Sequence, residues 1–245
     1  MTKKYTGSSG HSKKVRGANH FIDEVDEARK VTNEVHRILT TQYNGAGLVF
    51  HDDTSTTQNQ NLQTIVNYHN KQSRELDWSI HFNAASVTDA PRGVEVLYYD
   101  AKDLAAKLSA AIAKASGLKD RGAKQRSELY FLKNTHKPAI LPEICFVDSK
   151  ADVELYRKNF TAICEAIASV LAAHLGYTKK QTVQVPKEET TVTNTLTSTA
   201  KQDLKGLLKE THKRGIMKVD HSDRVDRMTD GDALGLLISV VKRTL

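Results

Sequence analysis

Short apolar segments alternate with amphipathic segments along the first 178 residues, and this alternation restricts the folds open to the chain. Segments with the composition of strands lie at 48–50, 78–84, 93–99, 129–134 and 139–148. Apolar residues at helical spacing predict helices over 24–39, 62–69, 101–115 and 151–174. Strands and helices in this order predict the α/β class, with a mostly parallel twisted sheet flanked by helices.

The first predicted helix has the clearest pattern. Val31, Val35 and Leu39 recur at four-residue steps, as one face of an amphipathic helix requires. Asp23 stands directly before this segment, where a carboxylate can accept hydrogen bonds from free backbone N–H groups. The polar sequence KKYTGSS, which precedes His11, does not define the position of a first strand.

The composition changes after residue 178. A Thr-rich stretch without long apolar runs occupies 179–197 and is typical of an exposed linker. Two helical patterns follow at about 198–213 and 231–243, and Asp230 is placed to cap the second. We therefore expect a catalytic domain at 1–178, a linker at 179–197 and a small helical domain at 198–245.

The net charge of +7 indicates a partner with an acidic surface. Nucleic acid, an anionic membrane and a cell wall that carries phosphate polymers all meet that description. Nucleic acid is disfavoured because 29 acidic residues are interleaved with the basic ones and only 6% of residues are aromatic. We expect no nucleic-acid partner.

Targeting signals are not evident in the sequence. The segment MTKKYTGSSGHSKK has no apolar core of the kind a signal peptide needs, and no run of about 18 apolar residues occurs. Cys145 and Cys164 lie in apolar stretches and imply no disulfide framework. We expect a chain made in the cytoplasm, without membrane insertion, that acts outside only after release.

Two apolar strands each contain one residue that burial alone does not explain. His81 lies within SIHFNA, and a buried histidine must satisfy two ring nitrogens. Glu143 lies within ILPEICF, where an ionised carboxylate costs several kcal/mol unless it is paired or bound to metal. Most other histidines, including His69, are expected to be solvated or hydrogen-bonded.

These residue types match the donors that catalytic zinc prefers, two histidines and one carboxylate with an open fourth position. A further carboxylate that is not a ligand can then carry the proton. The available set is His11, His81, Glu143 and an acidic residue on the first helix, either Glu24 or Glu27. The spacing alone does not choose between those two glutamates.

Four blocks of sequence resemble the zinc-dependent N-acetylmuramoyl-L-alanine amidases of the type 3 family, particularly phage endolysins, over about residues 5–175. The blocks are Gly10-His11 with Gly17-Ala18, Glu24 at the helix start, Ser79 to Ala84, and Pro142 to Phe146. The resemblance implies His11, Glu24 and His81 as zinc ligands and Glu143 as the catalytic residue. It favours Glu24 over Glu27 because only Glu24 keeps the apolar stripe in phase with the family helix. Ser12 departs from the pattern, since the family commonly has Gly there.

The implied reaction is hydrolysis of the amide between N-acetylmuramic acid and L-alanine in the peptidoglycan of a Gram-positive wall. The alternatives are a zinc carboxypeptidase that acts on peptides and a non-catalytic wall-binding protein, which would have no need of the buried Glu143. Asn83 is expected either to orient the substrate or to serve the strand end. The helical domain is expected to bind wall polymer, or to form oligomers through its helices.

Overall fold

The computed structural model describes residues 2–180 and 196–244 of the chain. The protein forms two compact units, Met1–Thr182 and Val183–Leu245. Most of the linker predicted at 179–197 lies outside the described residues. Within the described ranges, no helix combines the length and the apolar character needed to cross a membrane.

The first unit is built on a six-stranded sheet. Its strands are β1 (Lys4–Ser12), β2 (Ala46–Asp52), β3 (Leu76–Asn83), β4 (Val94–Tyr98), β5 (Asp120–Gln125) and β6 (Ala139–Phe146). They lie in the order β2-β1-β3-β6-β4-β5. Strand β4 runs antiparallel to β6, and the other neighbouring pairs are parallel. The predicted α/β class with a mostly parallel sheet is confirmed.

Helices cover both faces of this sheet. They are α1 (Glu24–Thr41), α2 (Gln58–Asn70), α3 (Lys102–Ser116), α4 (Tyr130–Asn134), α5 (Lys150–Lys158) and α6 (Phe160–Leu175). Helices α1, α3 and α6 enclose the larger apolar core, whereas α2 and α4 pack over a smaller one on the opposite face. The predicted stripe of α1 is buried, and the Asp23 carboxylate caps this helix by accepting from the Asp26 N–H at 3.2 Å.

Two predicted elements were wrong. Residues 129–134 were expected to form a strand, but α4 occupies Tyr130–Asn134. Phe131 and Leu132 are both buried in the smaller core, and a strand would have pointed these neighbours to opposite faces. The single helix expected over 151–174 is divided at Asn159, whose side-chain N–H donates to the carbonyl oxygens of Ser116 and Leu155. Such a competing side-chain hydrogen bond favours a helix end.

Two of the strands are polar in sequence, so apolar patterning did not predict them. The sequence DRGAKQ forms β5, an edge strand whose outer side needs no partner, so polar residues are tolerated there. In β1, by contrast, Ser8 and Ser9 are buried in the sheet. Their hydroxyls are satisfied by Ser79 Oγ at 3.1 Å and His51 Nδ1 at 2.8 Å, which makes burial of these polar side chains affordable.

The second unit contains α7 (Ser198–Lys213), a 3-10 turn at Ser222–Arg224 and α8 (Asp230–Thr244). Both predicted helices are therefore present. The expected cap at Asp230 was wrong: Thr229 Oγ1 accepts from the Asp232 N–H at 3.0 Å, and the Asp232 carboxylate accepts from the Thr229 N–H at 3.1 Å. This reciprocal pair of hydrogen bonds caps the helix at Thr229, one residue earlier than predicted.

Candidate metal centre

Four predicted site residues meet at one edge of the sheet. His11 stands at the end of β1, Glu24 opens α1, and His81 and Glu143 lie in the later parts of β3 and β6. Strands β1, β3 and β6 are parallel, so their carboxyl ends converge at the same edge. His11 has a left-handed backbone, with φ of 61°, where the β1–β2 pairing changes register. That turn directs the imidazole away from the regular path of the strand.

Glu24 lies between the two histidines. Its Oε2 is 3.3 Å from His11 Nε2, and its Oε1 is 3.0 Å from His81 Nδ1. One atom from each of the three side chains lies within 4.8 Å of the others, which is close enough for one ion to contact all three. The backbone N–H groups of Ala18 and Phe82 also donate to the carboxylate at 2.8 and 3.1 Å and fix its orientation.

The electrostatics of this cluster favour an ionised Glu24 and disfavour a charged His81. Burial alone would raise the pKa of the Glu24 carboxyl, but hydrogen bonds and charge interactions with His81 and His11 outweigh it and lower that pKa. Burial lowers the pKa of His81, and the neighbouring carboxylate only partly opposes this. A deprotonated carboxylate with neutral imidazoles is the state that binds a divalent cation.

Glu27 does not join this cluster. Its carboxylate accepts from the Tyr156 hydroxyl at 2.8 Å and from the Lys30 ammonium at 2.7 Å. The side chain is thus engaged elsewhere on α1. Of the two acidic residues that the spacing left open, the structure brings Glu24 to the histidines.

Two glycines in the resembling blocks give the ligand side chains their space. A Cβ atom at Gly10 would overlap the imidazole of His81, and a Cβ atom at Gly17 would overlap the Glu24 carboxylate and the His11 ring. Gly17 also has φ of 70°, a conformation that side chains rarely adopt. Both glycines are required by the packing of the cluster itself.

Glu143 lies next to the cluster. It is opposite His81 on β3 and opposite Glu95 on β4 in the strand register. Burial first, and then the negative charges of Glu24 and Glu95, raise the pKa of its carboxyl well above the ordinary value. A carboxyl group with a raised pKa can both accept and return a proton near neutral pH.

Unpartnered polar atoms test whether a cation fits these residues. Among the described residues, Glu143 Oε2 and His11 Nδ1 are buried without a hydrogen-bond partner. Buried polar atoms in native proteins are generally satisfied, so each of these calls for a partner outside the chain. A separate cavity of about 20 Å³ adjoins His11 and His81 on the side of α2, and neither Glu24 nor Glu143 lines it. The donor types and their mutual distances fit a small divalent cation.

Sequence reasoning missed a polar group behind Glu143. Glu95 is buried on β4, where its Oε2 accepts from Arg121 Nε at 2.7 Å and its Oε1 accepts from Asn83 Nδ2 at 3.0 Å. A carboxylate inside the apolar run GVEVLYY is the same signal that singled out Glu143, so Glu95 was detectable. Arg121 was not, because β5 had no recognisable pattern. The Arg121 guanidinium also lies 5.0 Å from the ring centroid of Phe146.

Together these features define an α/β protein with a His–Glu–His cluster, at the carboxyl edge of its sheet, whose geometry could hold a metal ion. The family model Amidase_3, described as N-acetylmuramoyl-L-alanine amidase, matches residues 8–173. The chain belongs to this family. Its members generally depend on zinc, and all four residues of the cluster described above lie within the matched range.

Individual relatives agree with the family match. The endolysin of Bacillus phage SPP1 is 30% identical over 202 residues, which cover 77% of this chain and 72% of that protein. An uncharacterized protein of Clostridium perfringens is 35% identical over 157 residues, or 61% of this chain, and the match spans only 45% of that relative's length. The fold is shared with the catalytic domain of the CD27L endolysin, which targets Clostridia difficile. That comparison has a TM-score of 0.62 at 22% identity and covers 70% of this chain and 97% of that domain.

Proposed function

We propose that this chain is a zinc-dependent hydrolase of the amide bond between N-acetylmuramic acid and L-alanine in peptidoglycan. The observation that carries the proposal is the convergence of His11, Glu24 and His81 beside the half-buried Glu143, in a chain of this family. His11, Glu24 and His81 would hold the metal. Glu143 would handle the proton.

The chemistry divides between the metal and the chain. Zinc, when bound, polarises the amide carbonyl and acidifies water. Glu143 accepts a proton from the attacking water and returns it to the nitrogen of the departing L-alanine, which its raised pKa permits. Arg121 and Asn83 hold Glu95 in place, and the charge of Glu95 contributes to that raised pKa.

The decisive test combines metal analysis with wall lysis for Glu143→Ala. We expect the purified variant to retain zinc, because its three ligands are intact, and to lose lysis. Glu128→Ala is the matched control, since the Glu128 side chain is 63% exposed, and it should lyse walls as the wild type does. Undiminished lysis by Glu143→Ala would reject the proton-transfer role.

Product analysis separates the amidase from its rivals. An amidase releases stem peptides that begin with L-alanine and leaves the glycan strands intact. A zinc carboxypeptidase would instead release residues from the other end of the peptide. A non-catalytic wall-binding protein would release neither product and would bind walls equally well with Glu143 replaced.

For the second unit we propose binding to the wall polymer of a Gram-positive host, as part of a phage endolysin that reaches the wall after release. Residues 198–245 carry ten Lys or Arg against seven Asp or Glu, a balance suited to an acidic polymer. The similarity to a phage endolysin supports the same role. Deletion of residues 190–245 should weaken sedimentation of the protein with purified walls while cleavage of soluble muropeptide persists. Equal sedimentation after deletion would reject the binding role.

A further inference from the structure

Helix α8 exposes an apolar stripe. Leu234, Leu237, Ile238 and Val241 follow one another at three- and four-residue spacing on a single side of the helix. Their exposed fractions are 59%, 38%, 47% and 52%. The small core of this unit instead uses another side of α8, where Ala233 and Val240 are buried. The helix is therefore apolar on more sides than its own unit can cover.

Helix α7 extends the same surface. Leu207 is 38% exposed and lines, with Leu234 and Leu237, an apolar groove of about 400 Å³ between α7 and α8. Exposed apolar side chains that form one continuous stripe, rather than standing singly, are typical of an interaction site. A helical unit of this size also has a marginal core, which oligomerisation commonly supplements.

The order of residues on α8 is suited to pairing with itself. The four exposed positions are symmetric about the midpoint between Leu237 and Ile238, so an antiparallel copy would place Leu234 against Val241 and Leu237 against Ile238. The first turn carries Asp230 and Asp232, and the last turn carries Lys242 and Arg243. In an antiparallel pair the acidic end of each helix meets the basic end of the other. The two helix dipoles also point in opposite directions, so the positive end of each lies beside the negative end of the other.

We propose that the protein forms a two-fold symmetric dimer in which α8 packs antiparallel against α8 of a second copy. This arrangement is isologous, since the same stripe serves both partners. It also accounts for both charged ends, whereas an anionic membrane would attract the Lys242 end and repel the Asp230 end. The dimer would present two copies of each unit to one wall, which raises avidity without any new wall contact.

The first test measures the mass of the full-length chain by sedimentation equilibrium at micromolar concentrations. We expect the wild type to have twice the chain mass. Ile238→Glu introduces two charges near the symmetry axis and should halve that mass. Val219→Glu is the matched control, since Val219 is 57% exposed in the same unit but lies outside the helices. It should remain a dimer.

The second test fixes the direction of the pair by disulfide trapping. Leu234→Cys mixed with Val241→Cys should give a linked dimer under mild oxidation, whereas each variant alone should not. The native Cys145 and Cys164 are buried and offer no accessible thiol. Cleavage of soluble muropeptide should be unchanged in all these variants, so a failed dimer and a failed amidase are distinguishable.

Four results would overturn the proposal. A monomeric wild type would show that the stripe is covered within one chain or left open. A dimer that survives Ile238→Glu would show that another surface joins the copies. A monomer that sediments with anionic phosphatidylglycerol vesicles, and loses this binding in Ile238→Glu, would identify a lipid surface as the occupant. Self-linking of Leu234→Cys alone would instead indicate a parallel pair.

Discussion

A histidine and a carboxylate meet at each end of strand β3, and the two groups differ in how the carboxylate is satisfied. Near the amino end, Asp77 lies 2.7 Å from His69 Nδ1 and accepts from the Arg74 guanidinium at 2.8 and 2.7 Å. Near the carboxyl end, Glu24 is shared by His81 and His11, and no guanidinium of the described residues contacts it. The first group is a closed ion pair, whereas the second is a negative charge held between two imidazole rings.

Unpartnered atoms sharpen the contrast. His69 Nε2 is also buried without a hydrogen-bond partner, but its ring lies against the ring of Phe131, with centroids 5.1 Å apart. At the other end, the unpartnered atoms belong to His11 and Glu143. Both residues lie at the same edge of the sheet, His11 within the cluster and Glu143 next to it. A buried histidine–carboxylate pair therefore does not by itself mark a site. A site is marked instead by a buried charge that no opposite charge compensates, together with several unpartnered polar atoms in the same place.

Replacement of Glu24 should have the largest effect. Glu24→Gln removes the charge that both histidines share, so we expect zinc content near zero and a loss of hydrolysis of roughly 1,000-fold or more. Glu27→Gln is the matched control on the same helix and should keep both zinc and activity. Elemental analysis and a muropeptide assay on the two variants measure this difference. Loss of zinc in Glu27→Gln instead would show that Glu27, and not Glu24, is the metal ligand.

Replacement of Arg74 should affect the opposite end of β3. Arg74→Ala leaves the charge of Asp77 buried without its main partner, which costs about 3–5 kcal/mol. Urea denaturation monitored by circular dichroism should show that loss, while zinc content per folded chain stays at the wild-type level. A small change in unfolding free energy, below about 1 kcal/mol, would show that water reaches Asp77 and that this end is not closed.

Gly17 and Gly122 separate two effects of a Gly→Ala change. One is the loss of unfolding free energy from a strained backbone, and the other is the loss of zinc from disruption of the site. Both have left-handed backbones, with φ of 70° and 75°, but a Cβ atom at Gly122 would meet nothing within 4 Å. Either Gly→Ala change should cost about 1 kcal/mol of unfolding free energy. Only Gly17→Ala should also reduce zinc content, because its methyl group overlaps Glu24 and His11. Equal zinc loss in both variants would point to a general backbone effect.

The last prediction concerns the dependence of stability on pH that His69 contributes. Burial lowers the pKa of His69, with Asp77 only partly opposing, whereas the unfolded chain titrates near 6.5. Below that pH the unfolded state binds more protons than the folded state, so stability is complete above about pH 6.5 and falls on acidification. The wild type should lose up to about 1.4 kcal/mol more per pH unit than His69→Gln between pH 6.5 and 5. Parallel stability curves for the two proteins would show that His69 is already charged when folded.

Much of this arrangement was predictable from local patterns, because local patterns report burial. The four-residue steps of α1 and the Asp23 cap follow from helix geometry. A lone carboxylate in an apolar strand identified Glu143, and the same signal would have identified Glu95. The family resemblance by itself predicts that His11, Glu24 and His81 lie together.

Other features depended on contacts between distant segments. The sequence 129–134 suits a strand or a helix equally, and only the smaller core, which needs Phe131 and Leu132 on one side, selects the helix. The break at Asn159 depends on the carbonyl oxygen of Ser116, 43 residues away in the chain. Polar β1 is buried because Ser79 and His51 satisfy its hydroxyls.

The residues themselves determined which chemistry is available here: which segments are apolar, where helices begin, and which side chains carry donors suited to a metal. Tertiary structure decided which of two similar histidine–carboxylate pairs is closed by Arg74 and which remains open beside Glu143. The physical reason is that burial and charge compensation are properties of the surroundings of a side chain. Residues far apart in the chain supply those surroundings, and no local spacing records them.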